Sequence, residues 1–351
     1  MRGAEDLRID TGEAVISVTC LGSGPAVLLL HGFPQTKLMW RDIAPRLAER
    51  FTVICADLRG YGDSSTPPSD AEHAAYSKRA MARDMVSVMA RLGFARFSIA
   101  GHDRGGRVAY RAALDHPGRV DALAVLDVLP VDAVWDRADD RLALGFWPWS
   151  LLAQPEPLPE RLIAGAPDAV TGNAFSGAWG SPAATFGEQV CAAYTAALSD
   201  PARIHAICEE YRAAAGIDRD HDAADRAAGR MITCPVLVLW SASGPLGSWY
   251  RHDGGPLALW RQLAPDVTGA PVHGGHFFPE EQPAAIAATL ASFFARTQDH
   301  QALPPPLAVS PNTGGVPTAA MMCRSAHLLP GSVRVRPDRP LRVIFSNVTS
   351  R

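Results

Sequence analysis

At residues 101–107 the sequence reads GHDRGGR, with Asp103 between Gly101 and Gly105. The apolar run FSIAG precedes Asp103 and the helix-like pattern RVAYRAAL follows it. Strand, tight turn and helix are the setting of a nucleophile elbow, Gly-x-nucleophile-x-Gly, whose glycines let the backbones pack closely. Serine at the centre of such a turn needs a base to activate it. A carboxylate does not. At the carboxyl edge of a sheet, beside a helix N-terminus, it is favoured in its ionised form. It then displaces a leaving group at saturated carbon and becomes an ester of the enzyme. An aspartate that merely caps the helix is the structural alternative. The complete Gly-His-Asp-Arg-Gly-Gly frame favours the nucleophile.

An ester on Asp103 has to be hydrolysed, so a base is needed for the second step. HGGHFFPEE, residues 273–281, offers His276 in a loop, with His273 as the alternative; the G-H-F-x-x-E-E frame favours His276. A third group, after the nucleophile and before the histidine in the chain, orients the base. Asp127 closes the run LAVLD, one strand after the elbow. The other place for such an acid, LWSASGPLGSWY, holds no carboxylate, and none follows until Asp253. Hydrolysis passes through a tetrahedral centre and calls for an oxyanion hole. HGFP, residues 31–34, follows a strong apolar strand, so the backbone N–H groups of Phe33 and Arg104 are the candidate donors. DLRGYGDS, residues 57–64, reads as a turn that supports packing.

These residues need a scaffold that collects strand ends. GPAVLLLHG, FTVICADLRG, FSIAG, VDALAVLDVLP and PVLVLW read as buried strands. WRDIAPRLAERF, YSKRAMARDMVSVMARLG and RVAYRAALDHP read as the helices between them. Continuous apolar strands alternating with helices predict an α/β fold, a mostly parallel sheet with helices on both faces. Strand patterns vanish between about 135 and 230, where aromatic, proline and helix-like segments dominate. The expected organisation is a core of residues 1–134 and 231–298, with a helical cap, 135–230, inserted over the strand ends. Residues 299–351, rich in Pro, Gly, Ser and Thr, read as an extension without stable structure.

Composition narrows the function classes. A formal net charge of -3 over 351 residues gives no bulk attraction to nucleic acid or anionic membrane. The N-terminus lacks the apolar stretch of a signal peptide, and the apolar runs are too short to span a bilayer. Six scattered cysteines with no C-x-x-C pair suit a reducing cytoplasm. HGGH has no third ligand apparent for a metal, and no cofactor is implied. The oligomeric state is not set by the sequence, and a homodimer stays open.

HGFPQ, DLRGYGDS, GHDRGGR, the LD of LAVLD and GGHFFPEE together resemble the α/β-hydrolase superfamily, and within it the haloacetate dehalogenases of the fluoroacetate dehalogenase type. The resemblance runs from about Asp10 to Arg296. It implies hydrolysis of a small haloacid by water, releasing glycolate and halide. It also implies that Arg104 and Arg107 hold the substrate carboxylate. Three apart on a helix, the two share a face, and their forks suit carboxylates. FWPWSLLAQPEPLPERLI, residues 146–163, and CEEYRAAAGIDRDHD, residues 208–222, resemble two cap segments. From these the family draws a His, a Trp and a Tyr to hydrogen-bond the departing halide. Trp149 and Tyr211 match two of them, and the His position falls on Pro148.

Proline offers no side-chain donor and no N–H. Fluoride, a poor leaving group, suffers most from a missing donor. The expectation is therefore a preference for chloro- or bromoacetate over fluoroacetate, with His205 a candidate to supply the lost donor. The competing reading is an epoxide hydrolase, with the same Asp–His–acid core and with Tyr194 and Tyr211 as ring-opening donors. A carboxylate clamp argues against it, since an epoxide is neutral.

Overall fold

The computed structural model describes residues 3–299; the extension expected at 299–351 lies, beyond residue 299, outside the described residues. Eight strands form one sheet: β1 (Glu5–Asp10), β2 (Val15–Gly22), β3 (Ala26–Leu30), β4 (Thr52–Ala56), β5 (Phe97–His102), β6 (Val120–Leu126), β7 (Val236–Ser241) and β8 (Val267–Val272). Their order across the sheet is β1-β2-β4-β3-β5-β6-β7-β8. β1 and β2 pair antiparallel, β2 meets β4 antiparallel, and all strands from β4 to β8 run parallel.

Alternation along the central strands divides the core into two layers. Leu28 and Leu30 of β3 and Ile99 of β5 face one side, packed with Met81, Met85, Val108 and Ala112 from the helices Lys78–Arg91 and Arg104–Asp115. Val27, Leu29, Val53 and Leu126 face the other, against Leu47, Leu290 and Phe294. Each such Leu, Ile or Val, fully buried, stabilises the fold by about 1.5–3 kcal/mol before the entropic cost of ordering. The helix Lys78–Arg91 starts where the Ser77 hydroxyl accepts the N–H of Ala80 and stops before Gly93, at φ 87°. There Phe94 N–H closes back on the Met89 carbonyl at 2.8 Å.

The helix expected over WRDIAPRLAERF is reduced to a 3-10 turn, Lys37–Trp40, and a single turn, Ala44–Leu47. Pro45 is tolerated only at the start of a helix, and β4 begins at Thr52, so no length remains. The β1–β2 hairpin was not anticipated, and no residues were assigned to β8. β8, VTGAPV, carries Gly269 and Pro271 and is half exposed, so it lacks the buried apolar run of its neighbours. Between β6 and β7 the chain is helical from Val131–Trp135 to Ile217–Ala227 and contributes no strand. Among the described residues no helix is long and apolar enough to cross a membrane.

Candidate active site

β5 runs through His102 and the next helix begins at Arg104, so the turn is Asp103 alone. Its backbone sits at φ 45°, ψ -115°, a conformation that costs a non-glycine residue on the order of 1–3 kcal/mol. The surroundings hold it there. Asp103 N–H donates to the Leu126 carbonyl at 3.1 Å, and its carbonyl accepts Arg107 N–H at 3.2 Å. The close approach explains Gly105, where a Cβ would lie 2.4 Å from the His31 carbonyl oxygen.

Both carboxylate oxygens of Asp103 are met by donors. Phe33 N–H reaches Oδ2 at 3.1 Å, and Arg107 Nη1 reaches Oδ1 at 2.9 Å. Burial raises the Asp103 pKa, but the charges of Arg107, His276 and Arg104 outweigh it and hold the carboxyl well below the usual carboxylate range. Asp103 is therefore ionised at neutral pH.

Asp127 follows β6 directly, also at positive φ, 49°. Its Oδ2 lies 2.7 Å from His276 Nδ1, and its Oδ1 accepts the backbone N–H of Ser241 at 2.8 Å. Burial lowers the His276 pKa, yet the hydrogen bond and charge of Asp127 and the charge of Asp103 prevail, and the net direction is upward. The backbone of His276 is tied from two sides. Its N–H donates to the carbonyl of Trp179 in the helical insertion, and its carbonyl accepts from His102 Nε2, both at 2.8 Å. Phe277 N–H, next in the chain, donates to Ser181 Oγ at 2.9 Å.

Asp103, Asp127 and His276 open into one cavity, whose wall also includes Phe33, Arg107, Pro148, Trp149, Trp179, Tyr211 and Tyr250. Its volume is about 30 Å³. Arg107 lies with its guanidinium carbon 4.5 Å from the centroid of the Trp149 ring. Tyr211 stands edge-on to Phe33, ring centroids 5.7 Å apart.

Arg104 is placed differently from Arg107. Fully buried, it does not contribute to the cavity wall. Its Nε donates to both oxygens of Glu210 at 2.9 and 2.8 Å, and its Nη2 to Oε1 at 2.5 Å. Its guanidinium carbon lies 3.9 Å from the Tyr211 ring centroid, and Nη1 has no hydrogen-bond partner. Glu210 also takes the ammonium of Lys78 and, at 3.3 Å, the hydroxyl of Tyr61. Tyr61 comes from DLRGYGDS, whose Arg59 is likewise buried in an ion pair with Asp84.

Two other candidates fall outside the cavity. His205 is 39% exposed and lies beside Glu160, in a separate surface groove with His73 and Glu209. It is thus too remote to replace a donor lost at Pro148. Tyr194 is buried with its hydroxyl on Glu280 at 3.1 Å. His273, the alternative base, contributes its carbonyl to Gln282 and is not in the cavity wall. Conversely, Trp179 and Tyr250 belong to the wall without having been singled out. Their neighbours, GAWGS and GSWY, carry no motif that marks them. Among the described residues no group of three or more His, Cys, Asp or Glu is arranged to hold a metal.

The chain belongs to the α/β-hydrolase family. Residues 25–160 match the model of the α/β-hydrolase fold, a stretch that contains Phe33, Asp103, Asp127 and Trp149. Over 302 residues the chain is 42% identical to the fluoroacetate dehalogenase of Burkholderia sp, a match that spans 85% of this chain and 97% of the relative. It is 33% identical to the soluble epoxide hydrolase of Corynebacterium sp. (strain C12), over 78% of this chain and 91% of that one. Among solved structures, a candidate α/β hydrolase from Nostoc sp PCC 7120 superposes with a TM-score of 0.79 at 46% identity, covering 83% of this chain and 98% of that chain.

Proposed function

We propose that the protein is a hydrolytic dehalogenase of haloacetates, with Asp103 as nucleophile and His276 as the base oriented by Asp127. The observation that carries this reading is Arg107, a buried cation bonded to Asp103 in the wall of a small, mostly apolar cavity. An anionic nucleophile would repel an anionic substrate, and a guanidinium between them turns that repulsion into binding. The likeness to a fluoroacetate dehalogenase supports the same reaction class.

In the first step an Asp103 oxygen attacks the carbon bearing the halogen. The C–O bond forms as the carbon–halogen bond breaks, and halide leaves with the bonding pair. Arg107 holds the substrate carboxylate. Arg104, held by Glu210, adds its charge and supports the Tyr211 ring. Trp149 and Tyr211 solvate the departing halide; Pro148 contributes no donor to it. In the second step neutral His276 takes a proton from water, and the hydroxide adds to the carboxyl carbon of Asp103. The N–H groups of Phe33 and Arg104 stabilise the resulting oxyanion. Collapse expels the glycolate alkoxide, which takes the proton from His276. Asp103 then loses its own proton to solvent. The helices of 135–230 act as a cap that keeps bulk water from the ester.

Halide release from chloroacetate by the wild type, absent in Asp103→Asn assayed before deamidation, is the expected result. An Asn variant with wild-type turnover would remove Asp103 from the mechanism. Two tyrosines in the wall, Tyr211 and Tyr250, and the epoxide hydrolase relative favour a second reading, ring opening of a small epoxide. Diol formation without any halide release would decide for it.

A further inference from the structure

We propose that Tyr250 is a substrate-binding residue that holds the carboxylate of the substrate together with Arg107. The inference rests on the haloacid reading above and names the second half of its anion site.

A carboxylate presents two oxygens and about four acceptor sites, and a bidentate arginine fork occupies two of them. Arg107 spends one Nη1 hydrogen on Asp103 Oδ1 and, among the described residues, keeps an unpartnered Nε. Arg104, the other cation on the same helix, spends Nε and Nη2 on Glu210 and stays out of the wall. The acceptor sites left over have room for a further donor beside Arg107, and the wall holds few. The Trp179 indole N–H is taken by the Gly145 carbonyl at 3.1 Å. Pro148 has none to give.

Tyr250 fits the vacancy in chemistry and place. It follows β7, lines the same cavity as Arg107 and Asp103, and is only 5% exposed. Among the described residues its hydroxyl makes no hydrogen bond, and it is not one of the enclosed, unpartnered polar atoms, so it is free to donate to a ligand. Burial pushes its pKa up to about 12, against the opposing charge of Arg107, so it is a protonated donor within reach of the Arg107 field at neutral pH. Trp149 and Tyr211 remain for the leaving group.

The test separates the two ends of the substrate by binding acetate and bromide, each alone, to the wild type and Tyr250→Phe, followed by tryptophan fluorescence. Because the lost hydroxyl bonds nothing in the protein, the variant should fold; acetamide binding, which needs no anion site, checks that its cavity is intact. Acetate affinity should fall about tenfold or more, the worth of a hydrogen bond to a charged group, with bromide and acetamide affinity unchanged. In turnover, the KM for chloroacetate should rise similarly, with kcat within about twofold. Unchanged acetate affinity overturns the proposal, as does weakened bromide binding alone or a wild type that binds no acetate. If Tyr250→Phe weakens acetate but the wild type releases no halide, the carboxylate site stands and the dehalogenase reading fails. If halide is released and acetate is indifferent to Tyr250, only the present proposal fails.

Discussion

His102, the residue before the candidate nucleophile, hydrogen-bonds the backbone carbonyl of His276 at 2.8 Å, with the two rings 4.6 Å apart. Because a carbonyl only accepts, His102 is the Nε2–H tautomer. Burial, and the charge of His276 beside it, bring its pKa down to about 4, so it stays neutral through the working range. The elbow and the histidine loop, 174 residues apart, are thus tied directly. His102→Leu leaves a buried carbonyl unpaired, at a cost of about 1–3 kcal/mol. Urea unfolding should record that loss, and kcat should fall more than KM rises. His102→Gln, which restores an N–H donor, should recover most of both.

The upward shift of His276 sets the sign of the pH dependence. As the proposed base it works only when neutral, so ester hydrolysis should be lost as pH falls through a pKa above the ordinary 6.5. Its interaction with Asp127 stabilises the charged form instead. That contribution to folding is fully present below the unfolded pKa and fades as pH rises through the folded one. Asp103, held well below the usual range, is ionised throughout. Rapid-mixing assays should therefore show a halide burst that is insensitive to pH near neutrality, followed by a turnover phase that slows in acid. Asp127→Asn removes the two largest raising contacts, leaving the charge of Asp103, and should move the acid limb to lower pH while lowering kcat.

Pro148 stands in the cavity wall with Trp149, where, on the proposed haloacid reading, a donor would meet the leaving group. Pro148→His should raise the kcat ratio of fluoroacetate to chloroacetate by about tenfold or more, if the new hydrogen bond to the developing fluoride is worth roughly 1.5–3 kcal/mol. Fluoride and chloride release, measured side by side, check this. An unchanged ratio would show that the proline does not govern the choice of halogen.

The elbow was legible because its glycines, apolar strand and helix are contiguous in sequence. Asp127 was legible from its place at a strand end and His276 from the G-H-F-x-x-E-E frame, and the structure brings them within 2.7 Å. What the sequence hid depends on contacts between distant segments. Nothing local in CEEY says that Glu210 occupies the fork of Arg104, and GSWY does not announce that Tyr250 enters the cavity. His205 has the right chemistry for a donor, but its helix turns it toward Glu160 at the surface. Likewise β8 could not be placed because Gly269, Pro271 and a half-exposed face dilute the strand pattern.

The covalent route through Asp103 is tested most directly by a single turnover of excess enzyme with chloroacetate in water labelled with heavy oxygen. If water attacks an ester at the Asp103 carboxyl carbon, the label enters the Asp103 carboxylate and the first glycolate released carries none. Mass analysis of the glycolate and of the peptide containing Asp103 reads both. Label in the glycolate, with Asp103 unlabelled, would mean that water displaces the halide itself and would contradict the account.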